Sequence, residues 1–307
     1  MRKNILIIGG TGFIGYHLAK RCLEKKWNVT SVSTNKPKKI RYLDKIKYLY
    51  FDISKKKILE KRLTSKFDYV VNLGGYVDHN RKKKTLESHY KGSKNLVDFF
   101  HKTKIEAFLQ IGSCVEYGKA KSPQEEDKTI KMRNLKSTYG KAKLLATNYL
   151  LKKSKKNKFP GSVIRFYLVY GPKQDFNRLI PLIISGCLKN LNFPCSSGKQ
   201  YRDFLYIDDA ISGILKCLKT RNLKGEIFNL GYGRPKMVKK VINLIKKKIN
   251  LGKPDFGKIK MRKDEINILY PNIKKAMSMI NWRPKVEFNK GIDKTIKYYK
   301  KNLNMFN

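Results

Sequence analysis

The sequence predicts an α/β protein, a doubly wound parallel sheet with a smaller C-terminal α/β lobe, and three observations carry that prediction. Through the first half, short apolar runs alternate with helical stretches, the rhythm of strands joined by crossover helices. A glycine cluster, "GGTGFIG", falls between the first strand-like run and the first helical one. From about Pro172 the rhythm loosens into short strands punctuated by Pro and Gly. With 307 residues at 41% hydrophobic, the chain can bury one large core and carry a smaller appendage.

Taken in order, "NILIIGG" reads as a buried strand and "YHLAKRCLEKK" as a helix by its apolar spacing. "WNVTSVS", "IKYLYFD", "FDYVVNLGG", "EAFLQIGS" and "GSVIRFYLVYG" follow as strands, separated by lysine-rich helices such as "SHYKGSKNLVDFFHKT". The later stretches "LNFPCSSGKQYRDFLYIDD" and "NLGYGRPK" are punctuated by turns, and "GIDKTIKYYKKNL" closes the chain as an amphipathic helix. Gly9, Gly12 and Gly15 sit where a tight turn, close approach to a pyrophosphate and helix-on-strand packing each need a residue without a side chain. The helix that opens there aims free N–H groups at the phosphates. The expected architecture is therefore Rossmann-type. Residues 1–171 form an NAD(P)-binding domain, with the strand 162–170 completing the sheet. Residues 172–307 form mainly a substrate-binding lobe, with some segments returning to the first domain.

Composition narrows the class. The apolar run at the N-terminus is too short to span a bilayer and no other segment reaches that length, so no membrane span and a cytoplasmic location are expected. Cys22, Cys114, Cys187, Cys195 and Cys217 have no CxxC spacing, which argues for reduced thiols, and His is too scarce for a metal cluster. The formal charge of +47 comes mostly from Lys spread along the chain. That distribution reads as a solvated surface, with salt-sensitive adhesion to polyanions and no specific nucleic acid partner.

An NAD-preferring site carries an acid at the end of the second strand to bind the ribose hydroxyls. Here that place holds Ser33, Thr34 and Asn35, followed by Lys36, Lys38 and Lys39. With no carboxylate to repel a 2′-phosphate, the expected cofactor is NADPH, with NAD(H) as the alternative.

The candidate catalytic stretch is "STYGKAK", in which Tyr139 precedes Lys143 by four residues. The pattern alone decides nothing, because about three Tyr-x-x-x-Lys matches should arise by chance in so lysine-rich a chain. Tyr16/Lys20, Tyr90/Lys94, Tyr117/Lys121, Tyr149/Lys153, Tyr232/Lys236 and Tyr270/Lys274 match it as well.

Order along the chain separates them. "IGSCVEYG" places Ser113 ahead of "STYGKAK", "FDI" and "VVNLGG" come before it, and "VIRFYLVYGP", "GKQYRDFLYIDD" and "NWRP" after it. Together with the glycine loop this series resembles the extended short-chain dehydrogenase/reductase family, of the NAD-dependent epimerase/dehydratase type, nearly end to end. The resemblance implies a cofactor site made by Gly9, Thr11, Gly12, Phe13, Ile14, Gly15, Ser33, Thr34, Asn35, Asp52, Ile53, Leu73, Gly74, Gly75, Phe166 and Tyr167, with Tyr139 and Lys143. It implies Ser113, Tyr139 and Lys143 as catalytic residues, and Cys114, Leu168, Asn177, Arg202 and Arg262 as substrate contacts. Tyr139 begins a helix that Ser137 or Thr138 caps, which puts Lys143 one turn on and on the same face.

In this chemistry a hydride moves between nicotinamide and a sugar carbon while a proton moves on the attached oxygen. Tyr139 is then the acid or base, its phenol lowered by the Lys143 ammonium, and Ser113 steadies the same oxygen. Departures from the family pattern narrow the reaction. Dehydratases of the family place Asp-Glu directly after the catalytic Thr, whereas Cys114 and Val115 stand here and Glu116 comes one place late. Leu168 and His89 stand where the epimerase pattern has Asn. The closest likeness is to nucleotide-sugar 4-ketoreductases of the CDP-abequose synthase type, which implies a nucleotide-diphosphate sugar substrate in surface-polysaccharide (O-antigen, lipopolysaccharide) precursor synthesis, and a homodimer. An NAD-dependent sugar-nucleotide 4-epimerase is the alternative enzyme, and a non-catalytic cofactor- or RNA-binding protein the alternative of another class. For Arg202 the competing role is an ion pair with Asp203, and Asp208 and Asp209 read as a structural turn.

Overall fold

The computed structural model describes residues 2–64, 66–76, 78, 81–128, 130–261 and 265–306. The chain begins with Asn4–Ile8 (β1), Phe13–Glu24 (α1), Asn28–Ser33 (β2), Lys47–Tyr50 (β3), Lys56–Arg62 (α2) and Tyr69–Asn72 (β4). A helical stretch follows in three registers, Lys82–Leu86 (α3), a π-helical turn Glu87–Lys91 and Gly92–Phe100 (α4), and leads to Ala107–Ser113 (β5). A 3₁₀ turn, Cys114–Tyr117, precedes Thr138–Asn157 (α5), Gly161–Phe166 (β6), Leu168–Tyr170 (β7) and Leu179–Leu188 (α6). Next come Asn192–Cys195 (β8), Tyr201–Arg202 (β9), Phe204–Tyr206 (β10), Ile207–Lys219 (α7), Ile227–Leu230 (β11) and Lys236–Met237 (β12). Val238–Ile249 (α8), Lys253–Phe256 (β13), Ile268–Leu269 (β14), Lys274–Ile280 (α9) and Phe288–Lys301 (α10) complete the order.

Seven strands form one sheet in the order β11-β6-β5-β4-β1-β2-β3, every neighbouring pair parallel. A parallel sheet needs both faces covered, and the alternation of side chains supplies both. Ile5 and Ile7 of β1 pack toward Leu18 of α1 and Ile211 and Ile214 of α7, while Leu6 and Ile8 pack toward Leu96 and Phe100 of α4 and Leu150 of α5. Each such fully buried side chain contributes about 1.5–3 kcal/mol of burial. The chain runs outward from β1 to β3, then returns to the other side of β1 as β4. That reversal opens a crevice beyond the carboxyl ends of β1 and β4, the place where doubly wound sheets bind ligands.

The run 162–170, expected as one strand, breaks at Tyr167. β6 stays in the large sheet, and β7 turns out of it to pair with β10. The outermost strand beyond β6 is β11, contributed from residues far along the chain. Asp208 and Asp209 are the first turn of α7 rather than a free turn. The Asp209 carboxylate accepts from Lys285 N at 3.0 Å and Val286 N at 2.9 Å, and its carbonyl accepts from Trp282 Nε1 at 3.1 Å, so "NWRP" is pinned to the start of α7.

Candidate active site

The glycine loop leaves β1 with Gly9 at φ +78°, a conformation L side chains rarely adopt. A Cβ on Gly15 would lie 2.3 Å from Gly9 O, so α1 approaches the loop only because Gly15 has none. Gly12 is the N-cap of α1 and offers no capping side chain, while a Cβ there would meet only Gly9 O at 3.3 Å. Phe13 and Ile14 open the helix, and Thr11 N donates to Ser33 Oγ at 3.4 Å, which joins the loop to the end of β2. An uncapped helix start facing open space beside a close glycine turn fits the pyrophosphate of a dinucleotide.

Around the loop lie the other predicted cofactor residues. Thr34 and Asn35 are exposed beyond β2. Asp52 accepts from Ser54 N at 2.8 Å, and Ile53 is buried with its carbonyl bonded to Asn95 Nδ2 at 3.0 Å. Leu73, Gly74 and Gly75 leave the end of β4, where buried Asn72 accepts from Gly74 N at 3.0 Å. The His89 ring, on the π-helical turn, fills the space beside Gly75 and meets the Tyr139 ring edge-on at 4.9 Å. Of the lysines that follow β2, Lys38 is held by Asp175 at 2.7 Å, and Arg41 reaches the same carboxylate at 2.9 Å.

The predicted catalytic set converges. Ser113 ends β5, directly beside Phe166 of β6 in the ladder. Tyr139 lies in the first turn of α5, whose cap is Ser137, accepting from Gly140 N at 3.0 Å. Lys143 follows one turn on, buried, its Nζ 5.9 Å from the centre of the Tyr139 ring and donating to Ile111 O at 2.7 Å. The other Tyr-x-x-x-Lys tyrosines that α5 and its surroundings hold are engaged elsewhere: Tyr149 donates to Asp98, and Tyr117 to Asn229 Oδ1 at 2.8 Å.

The expected lowering of Tyr139 by Lys143 is corrected by the structure. Burial pushes the Tyr139 phenol up to about 12, against a hydrogen bond with Ser113 and the charge of Arg178 that pull it down. Burial also pulls the Lys143 amine down to about 8, against the charge of Glu116. Removing both groups from water outweighs an ammonium that is spent on a carbonyl. Burial thus favours the neutral form of both groups, the protonated phenol of Tyr139 and the free amine of Lys143.

On the substrate side, Cys114 is buried, and desolvation pushes its thiol up to about 12, which disfavours the thiolate. Tyr167 packs with Cys114 and Leu269, and its hydroxyl donates to Gln124 Oε1 at 2.8 Å. Leu168 pairs with Phe204, and Asn177 is exposed just before α6. Arg202 is near enough for its charge to act on Cys114, and it pairs with Glu265 rather than Asp203. Asp203 instead accepts from Tyr232 N and Gly233 N, both at 2.7 Å. Arg262 lies outside the described residues. Sequence reasoning passed over Arg178, whose signal was its type: a rare Arg, next to Asn177, in a chain that covers its surface with Lys. Among the described residues no group of three or more His, Cys, Asp or Glu is placed to hold a metal, and no helix is long and apolar enough to cross a membrane.

Comparison with known proteins agrees with this geometry. The chain is 28% identical over 97% of its length to a Methanocaldococcus jannaschii protein provisionally named UDP-glucose 4-epimerase, covering 99% of that protein. It is also 28% identical to human dTDP-D-glucose 4,6-dehydratase, over 98% of this chain and 91% of that one. The fold matches the crystal structure of UDP-glucose 4-epimerase from Thermotoga maritima with a TM-score of 0.90 at 24% identity, covering 98% of this chain and 99% of that chain. The family model for NAD-dependent epimerases and dehydratases matches residues 5–231, from β1 through β11, and so spans the glycine loop, Ser113, Tyr139 and Lys143 together. By that match and this geometry, the chain belongs to the NAD-dependent epimerase/dehydratase family.

Proposed function

We propose that this chain reduces the 4-keto group of a nucleotide-linked deoxy sugar, with NADPH as the cofactor. The observation that supports the reading is the convergence of Ser113, Tyr139 and Lys143 at the carboxyl end of β5, with no free acid among the described residues next to Ser113. Elimination of water needs such an acid, and Cys114 and Val115 cannot supply it. Glu116 is bound at 3.0 Å to Arg165 and at 2.9 Å to Thr147.

Gly9, Thr11, Gly12, Phe13, Ile14 and Gly15 would hold the pyrophosphate, Asp52 and Ile53 the adenine, and Leu73 to Gly75 with Phe166 and Tyr167 the nicotinamide side. When bound, the cofactor supplies a hydride to the carbonyl carbon. Tyr139, kept protonated by burial, donates its proton to the carbonyl oxygen. Ser113 donates a hydrogen bond to that oxygen and steadies its growing charge. Lys143, an ammonium below pH 8, returns the proton to Tyr139. Arg202, with Arg178 and Asn177, would hold the diphosphate of the sugar nucleotide. Preference for NADPH is supported by the carboxylate-free end of β2 and rests on Lys36 and Lys39, since Lys38 is paired with Asp175. α4 and α5 are the proposed faces of a homodimer.

The test offers NADPH with a panel of nucleotide-linked 4-keto-6-deoxy and 3,6-dideoxy sugars, following NADPH loss and product identity. Stoichiometric oxidation is expected, and Tyr139→Phe should abolish turnover while cofactor binding persists; near-normal turnover by that variant would refute the assignment. A second reading, NAD-dependent 4-epimerisation, is favoured by the likeness to the Methanocaldococcus protein. It predicts interconversion of UDP-hexoses with no net change in cofactor.

A further inference from the structure

We propose that Glu116 is a positioning residue for the Ser113/Tyr139/Lys143 site, a buried carboxylate that fixes the end of β5 against one face of α5. The inference rests on the reaction proposed above. A 3₁₀ turn has three residues per turn, so position 116 eclipses position 113. The Glu116 side chain therefore reaches back, and its Oε1 accepts from Ser113 N at 2.8 Å as half of a capping box. Its Oε2 accepts from Thr147 Oγ1 at 2.9 Å and from Arg165 Nε at 3.0 Å.

These partners belong to the elements that carry the site. Tyr139, Lys143 and Thr147 lie four residues apart on α5 and share one face of the helix. Arg165 stands opposite Gly112 in the β5–β6 ladder, one residue before Ser113 meets Phe166. One carboxylate thus ties the Ser113 backbone, the Tyr139/Lys143 face of α5 and the neighbouring strand together.

The site is also shaped to admit the carboxylate. A Cβ on Gly112 would fall 2.4 Å from Glu116 Oε1 and 3.2 Å from Arg165 Cγ, so only glycine leaves room for it. Arg165 is only 2% exposed and stacks on the Tyr117 ring at 4.4 Å. A buried ion pair is poor value as a source of stability, since well-packed apolar residues serve as well or better. Orientation explains its presence here. The charge of Glu116 also acts on Lys143, raising its pKa against the effect of burial.

The experiment compares wild type with Glu116→Gln, using NADPH and the 4-keto sugar nucleotide that wild type turns over in the panel. Tyr139→Phe serves as control. The Gln variant should lose 10- to 100-fold in kcat, with KM and NADPH affinity within twofold. Its alkaline limb should move to lower pH, because the charge that raises the Lys143 pKa is gone. Unchanged kcat and pH profile, with Tyr139→Phe inactive, would overturn this proposal and leave the reaction standing. An active Tyr139→Phe, or no turnover on the panel, would remove the underlying reading instead. A Gln variant that weakens KM, NADPH binding and kcat together, with no movement of the pH limb, would show a merely structural role. Should the Gln variant fail to fold, Thr147→Val decides: a several-fold fall in kcat at unchanged melting temperature supports the proposal, and unaltered kcat overturns it.

Discussion

At the scale of single residues, Lys143 is where function and stability oppose each other. Burial lowers its amine from 10.5 to about 8, so the folded chain releases this proton before the unfolded chain does. Between pH 8 and 10.5 the unfolded state binds more protons, and unfolding free energy rises with pH across that window. Below pH 8 the full penalty of burying the ammonium is present. Wild type should therefore gain on the order of 2–3 kcal/mol between pH 7 and pH 10.5 relative to Lys143→Met. The bond to Ile111 O is absent in the variant at both pH values and cancels from the comparison. Chemical denaturation at the two pH values checks this, and a stability gap that does not change with pH would contradict it. A lysine held so unfavourably is expected where a group must titrate near neutrality to work. Its partner Tyr139 is legible from its place after Ser113 and at the start of a helix, but the direction of both pKa values is not, because burial is a property of packing and no sequence order contains it.

Among the elements, those legible in the sequence are the ones whose signals are local. The turn from β1 into α1 was written in Gly9, Gly12 and Gly15, and the start of α5 in Ser137, whose hydroxyl caps it. The strands before Ser113 were equally plain as apolar runs. The break at Tyr167 was not, because β6 and β7 read as one apolar stretch and only the partner strand β10, far along the chain, pulls β7 away. The same holds for α7. Asp208 and Asp209 look alike in sequence, yet Asp208 is exposed and Asp209 is buried with two backbone N–H groups more than 70 residues away. Asp209→Ala would leave Lys285 N and Val286 N without their acceptor and loosen "NWRP" from α7, at a cost of about 2–4 kcal/mol. Asp208→Ala should stay within about 0.5 kcal/mol of wild type. Thermal melting of the two variants measures the contrast, and equal effects would show that the pinning does not matter.

For the whole molecule, the dominant quantity is the formal charge of +47. Several lysines are surface groups with small local tasks: Lys38 pairs with Asp175, Lys94 and Lys153 with Asp98, Lys248 with Asp293. Lys143 differs from these in being buried, and its neighbours Ile111, Glu116 and Tyr139 account for it. A surface charge of this size acts in two ways, repelling itself within the folded chain and attracting any polyanion. Both effects fade as the screening length falls from about 10 Å at 0.1 M salt to about 3 Å at 1 M. Raising NaCl from 20 mM to 0.5 M should therefore raise the melting temperature and release the protein from heparin or from RNA of any sequence. Turnover measured across the same range should fall less than polyanion binding, because the Ser113/Tyr139/Lys143 cluster, half-buried around a buried Lys143, is screened less than the exposed lysines. Two RNAs of equal length and unrelated sequence, titrated at low and high salt, supply the comparison. Equal affinities that collapse together with salt would fit a solvated surface. Selective binding that survives 0.5 M salt would show a built nucleic-acid site and return the non-catalytic reading.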